Sequence, residues 1–143
     1  MAFYLKKGKA QGENYEVPAS TTVSVGAVMR FDGVGRVIPT NATTTHLVMV
    51  ATGKKLSTDG DYASATQFTG VMLNPELEFE CDTVTGTATA GMVGKSYDLN
   101  ASGEDITVNL QATGVVTVTK YISATKVWCR FNSSYLINGG RIS

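Results

Sequence analysis

The chain predicts an all-β fold, a small β-sandwich or β-barrel, and three observations carry that expectation. Short runs of alternating apolar and polar residues recur from Ala27 to Phe131. Gly, Asn, Asp and Thr separate them, and turns fall every eight to twelve residues or so, as in sandwiches and barrels. No stretch of ten or more residues holds helical spacing with caps, and no internal repeat is visible.

The elements follow in order. Residues 1–20 differ from the rest: Phe3-Tyr4-Leu5 is apolar, and Lys6 to Asn14 is polar, Gly-interrupted and without period. This segment reads as an extended N-terminal arm, which either tucks Phe3 onto its own domain or orders against a neighbour. Residues 21–143 then form one all-β domain. Ala27 to Phe31 and Gly35 to Ile38 flank Asp32-Gly33 as a hairpin. His46 to Ala51 is a near-continuous apolar run, the pattern of a strand buried on both faces. Residues 57–65 form a loop around Asp59-Gly60-Asp61, and Phe68 to Leu73 is a strand closed by Asn74-Pro75.

Glu76 to Asp82 is the cleanest alternation. Leu77, Phe79 and Cys81 point one way, and Glu76, Glu78, Glu80 and Asp82 form a ridge on the other, expected exposed. Ser96 to Leu99, Ile106 to Leu110, Val116 to Lys120 and Val127 to Phe131 complete about seven to nine strands. Tyr135 to Ile137 supplies a final short one. The expected core includes Val48, Val50, Val71, Leu77, Phe79, Ile106, Val108, Val118, Val127 and Phe131.

Composition narrows function. The chain has 143 residues, 43% hydrophobic and 17% charged, with 12 basic and 12 acidic residues. That suits one domain with a sizeable core. Lys and Arg are scattered and form no basic stripe, which argues against nucleic acid. No window approaches a membrane span. The start carries charges where a signal peptide places its apolar region, so synthesis in a cytosol is expected, with both cysteines reduced. Asn41 and Asn132 match glycosylation acceptors only by chance on that reading.

The chemistry-bearing residues are few. Gly91 to Ser96 lacks the first glycine of a phosphate loop, having Thr89 there, and no helix follows. Asp59-Gly60-Asp61 lacks the alternating acids and closing glutamate of a calcium loop. Cys81 and Cys129 sit at core parity, and the lone histidine, His46, gives neither a catalytic pair with support nor a metal set. No cofactor, metal or catalytic site is expected, and the chain reads as a non-enzyme. Trp128, outward beside Arg130, is either an interface anchor or buried on a second face.

The order of Thr43 to Ala51, Gly70 to Glu80, Val93 to Leu99 and Val127 to Phe131 resembles the decoration (cement) proteins of tailed-bacteriophage heads. The resemblance spans roughly residues 25 to 131 and lies in layout, with no catalytic motif to match. It implies a β-tulip-like or similar all-β domain, often a homotrimer. It implies a virion protein on the capsid exterior, made in the host cytoplasm, that bridges major capsid subunits. Low charge and a covered surface fit such a part, and many copies acting together give avidity. On this reading Phe3, Tyr4, Leu5 and Tyr15 are apolar contacts of the arm, and Lys6, Lys7 and Lys9 meet acidic capsid surface. Trp128, Arg130 and Tyr135 are further contacts to the capsid or to another subunit. The alternatives are another virion module (head-fibre base, tail-tube or baseplate part) and a ligand-binding small barrel.

Overall fold

The computed structural model describes residues 2–9, 11–40, 46–100, 105–108 and 114–136. Among the described residues ten strands form two antiparallel sheets of five, the all-β sandwich that the alternation predicts. The first sheet runs β1 (Phe3–Lys7), β7 (Glu78–Cys81), β10 (Val127–Phe131), β9 (Val116–Tyr121) and β8 (Ser96–Tyr97) across its width. The second runs β2 (Gly12–Val17), β6 (Thr66–Met72), β5 (Leu47–Ala51), β3 (Val28–Phe31) and β4 (Val37–Pro39).

Between the sheets lies an aromatic core. The inward residues of β7 and β10, Phe79, Cys81, Val127, Cys129 and Phe131, pack with Phe3, Val118 and Ile106 against Val28, Leu47 and Val50 of the second sheet. The Phe131 ring is the hub, 5.3 Å from Phe3 and 5.5 Å from Phe79, both inclined as aromatic pairs prefer. All ten residues expected in the core are buried, except Val71 and Val108, which are half-buried and pack against it.

A second core lies on the far face of the second sheet. Val48, Met49 and Ala51 of β5 join Val17, Val37, Met29, Phe68 and Met72 there. Every residue of β5 is buried, as the unbroken apolar run of 47–51 requires. The sheet curls so that its edge strands β2 and β4 come together, and Tyr15 meets Phe31 edge-on at 5.2 Å.

In the N-terminal segment Phe3 is tucked onto its own domain, the first of the two readings of the arm, but the segment is paired into strands where no period had marked them. Residues 2–9 and 11–17 are no free arm. Phe3 pairs with Cys81, Tyr4 with Glu80 and Leu5 with Phe79, so β1 is an edge strand of the first sheet. β2 pairs along its whole length with β6, from Gly12 opposite Val71 to Val17 opposite Thr66. The physical reason is burial: Phe3 is fully enclosed, and its removal from water is worth about 2–3 kcal/mol. The start is pinned by the Ala2 amide, which donates to Asp82 Oδ1 at 2.6 Å, and by the Phe3 amide, which donates to the Gly26 carbonyl at 3.0 Å. Gly26, at φ +83°, permits that approach, since a Cβ there would stand 2.5 Å from Ala2 Cβ.

Smaller differences remain. Residues 133–135 form a 3-10 turn in place of a strand, and Leu136 bridges to Leu47. Ile106 and Thr107 make isolated bridges to Leu99 and Thr85. Leu110 and Ile137, expected in strands, and the acceptor Asn41 lie outside the described residues.

Candidate interaction face

The solvent side of the first sheet gathers most of the candidate contact residues. In β10, Val127, Cys129 and Phe131 point into the core, so Trp128 and Arg130 point out. In β1, Phe3 and Leu5 point in and Tyr4 points out, 42% exposed. A register shift between Leu5 and Lys7 lets two consecutive lysines reach the same face. Tyr4, Glu80, Trp128 and Lys120 stand in one row across four strands.

Trp128 organises this face. Its indole Nε1 donates to Glu80 Oε1 at 3.4 Å. Lys120 Nζ lies 4.8 Å and Lys7 Nζ 5.5 Å from the ring centroid, both within cation–π reach. Lys6 and Lys7 stand 4.0 Å from Glu80 and Glu78 respectively. Thr119 Oγ1 also donates to Glu78. Trp128 is therefore half-buried under its lysine neighbours on the outer face and takes no part in the inter-sheet core.

The acidic ridge is corrected by the same contacts. Glu76 is exposed, but Glu80 and Asp82 are half-buried and Glu78 is only 6% exposed. Alternation placed these acids on the outer face correctly. The lysines of β1 and Thr119 of β9, distant in sequence, then cover them.

The remaining candidates scatter. Phe3 is core, Leu5 packs against the core edge, and Lys9 is exposed beyond β1. Tyr15 belongs to the second core, and Tyr135 packs against the first.

Cys81 and Cys129 are free and buried between the sheets on neighbouring strands. Burial pushes the Cys81 thiol up to about 12, and burial with the neighbouring Cys81 pushes Cys129 up as well. His46 is exposed at the entry to β5 with φ +60°, so it is not packed against either buried thiol. Residues 90–92 form a 3-10 turn leading into β8, which is not the strand–loop–helix of a phosphate loop. Asp59 Oδ2 accepts from the Leu56 amide at 2.8 Å, the bond of a turn. Among the described residues no cluster of His, Cys, Asp and Glu could hold a metal ion, and no helix is long and apolar enough to cross a membrane.

Sequence reasoning missed Lys55. It is 2% exposed, and its ammonium donates to the Ser64 carbonyl at 2.6 Å and the Pro18 carbonyl at 3.2 Å. With the Ser20 amide donating to the Tyr62 carbonyl at 2.7 Å, it ties the 56–65 loop to the segment after β2. An open groove of about 330 Å³ lies alongside, lined by Thr52, Lys54, Asp61, Gln67 and Thr69 among others. Only apolar periodicity flags burial in a sequence, and a lysine held by carbonyls leaves no such trace. Comparison with known proteins matches the chain to no family model and to no curated relative.

Proposed function

We propose that the protein is a structural component of a tailed-phage virion that seats on the outer capsid surface and bridges major capsid subunits, without catalysis. One observation supports this above the others: Tyr4, Lys6, Lys7, Trp128 and Arg130, drawn from opposite ends of the chain, share one face of one sheet. Trp, Tyr and Arg are the residue types most enriched at interface hot spots. A sheet fixed from behind by a packed aromatic core presents them with little ordering left to do on binding. A homotrimer is part of the proposal, because three-fold symmetry matches the joints of a capsid lattice.

The test is co-sedimentation with undecorated heads built from the major capsid protein of the same phage. Saturable binding, with heads that survive heating longer, is the expected result. Absence of binding across a range of salt overturns the proposal. Light scattering behind size exclusion reads the trimer in the same preparation, and a ring of six or more copies redirects the reading to a tail or connector part. The groove beside Lys55 favours a second reading, a ligand-binding barrel. Against it, the Lys55 ammonium is already engaged by two carbonyls.

A further inference from the structure

The outer face of the first sheet carries two cations that its ion pairs do not use. The two carboxylates of β7 are recessed and occupied: the Glu78 side chain is 8% exposed beneath Lys7, and Glu80, at 17%, sits between Lys6 and the Trp128 indole, while beyond the strand ends Asp82 accepts from the Ala2 amide and Glu76 is exposed. Lys120 and Arg130 are exposed, and among the described residues neither stands within ion-pair distance of a carboxylate. Lys6 and Lys7 thus take the two carboxylates of β7, and Lys120 and Arg130 are left without one among the described residues.

One of these cations, Lys120, is also positioned. The Trp128 ring holds Lys120 at 4.8 Å, and Glu80 holds the ring through its Nε1. Lys120 stands opposite Trp128, and Arg130 follows two residues along the same strand on the same side. A lysine ordered in advance loses less side-chain freedom on binding, and a guanidinium takes a carboxylate in a two-pronged grip.

We infer that this face docks an acidic protein surface, with Lys120 and Arg130 each receiving a carboxylate and the Glu80–Trp128 pair holding Lys120 in place. The inference rests on the capsid reading above and gives the chemistry of the capsid surface that would be met. A nucleic acid fits the face less well. Bases need an open aromatic face to stack on, and two ammonium groups already lie over Trp128. The recessed Glu78 and Glu80 also repel a continuous line of phosphates.

The test compares wild type, K120Q/R130Q and a control, K54Q, whose lysine borders the groove of the second sheet. Each is measured against undecorated heads, immobilised poly-L-glutamate and an oligothymidylate. Near-UV circular dichroism of Trp128 verifies the fold, which two exposed substitutions are expected to leave intact. The double variant should weaken binding to heads and to polyglutamate about tenfold or more and flatten the salt dependence, with K54Q unchanged. Heads and polyglutamate bound equally well by the double variant overturn the inference while leaving the capsid reading in place. Polyglutamate bound through this pair, with heads ignored, supports the acidic-surface chemistry and removes the capsid reading. Oligothymidylate bound through the pair more tightly than polyglutamate overturns the inference in favour of nucleic acid. Loss of a self-assembled oligomer in K120Q/R130Q, with no polyglutamate binding by wild type, overturns it in favour of a second copy.

Discussion

The first sheet buries one face, whereas the second buries both faces of its central strand β5, and the strands are written accordingly. β7 and β10 alternate, with an aromatic core on one side and a charged aromatic surface on the other. β5 does not alternate at all, because the inter-sheet core takes Leu47 and Val50 and the second core takes Val48, Met49 and Ala51. A strand buried on both sides has no face to offer a partner, and the exposed side chains of the second sheet lie on β2 and β6. The sheet with a free face can specialise it, and here that face holds the ordered cations and Trp128.

The largest test of this contrast is the anchoring of the first sheet by the chain's start. Phe3→Ala should cost about 3–5 kcal/mol, read as a shift of the urea midpoint with unchanged slope. A residue in a free arm would cost nothing, so an unshifted midpoint breaks the two-sheet account of β1 and β2. The matching test of the second sheet is Gly70→Ala. A Cβ at Gly70 would lie 2.5 Å from Met49 Sδ and 2.8 Å from the Val50 carbonyl oxygen. The methionine can shift but the backbone carbonyl cannot, so overpacking should cost about 1–3 kcal/mol. A neutral Gly70→Ala would mean that the second core is looser than the first.

Between the sheets, the cysteines convert burial into a dependence on pH. Both thiols are pushed up by burial, Cys81 to about 12, whereas an unfolded chain releases these protons near pH 8.5–9. The folded state therefore holds more protons than the unfolded state above that range. Stability from this source is complete below pH 8.5 and falls as pH rises, by about 1 kcal/mol for each thiol at pH 9.5. Urea titrations of wild type and C81A/C129A at pH 7.5 and 9.5 measure it, and equal losses in both proteins would contradict it. Iodoacetamide at neutral pH should modify neither thiol until the sheets separate.

Much of this was legible from local pattern, and what was not has a common cause. Period two fixed the inward set Phe79, Cys81, Val127, Cys129 and Phe131, and the unbroken run 47–51 announced a strand covered on both sides. The Asp32-Gly33 pair marked its hairpin. Parity says which way a side chain points but not what a strand distant in sequence brings to meet it. Glu78 pointed outward as expected and is buried all the same, under Lys7 and Thr119. Phe3-Tyr4-Leu5 already alternates, yet its partner strand begins at Glu78, and three residues are too few to signal a strand alone. The candidate face was half visible for the same reason. Trp128 and Arg130 were recognisable as outward, while Lys120 joins them only through the pairing of β9 with β10.

The smallest expected effect lies at the exposed tip of the β3–β4 hairpin, where the second sheet meets solvent without a covering layer. The Val34 amide donates to Asp32 Oδ1 at 2.9 Å, and the Arg36 amide and guanidinium add bonds at 3.2 and 3.0 Å. These hold the Asp32 carboxyl below its ordinary 3.8, with the Val34 bond the largest cause and partial desolvation opposing it. A depressed folded value means that the turn gains stability above the unfolded pKa and loses it as pH falls through the folded one. The Asp32 carboxyl carbon, followed by NMR from pH 6 to 2, should titrate with a midpoint below 3.8, and the Val34 amide should shift with it. Val34 itself is 70% exposed, so loosening this tip uncovers little new apolar surface, and the global unfolding midpoint of Asp32→Asn should stay close to that of wild type. A large global loss would show that the tip supports the second core as well as closing the turn, and the contrast between a covered sheet and its uncovered edge would then need redrawing.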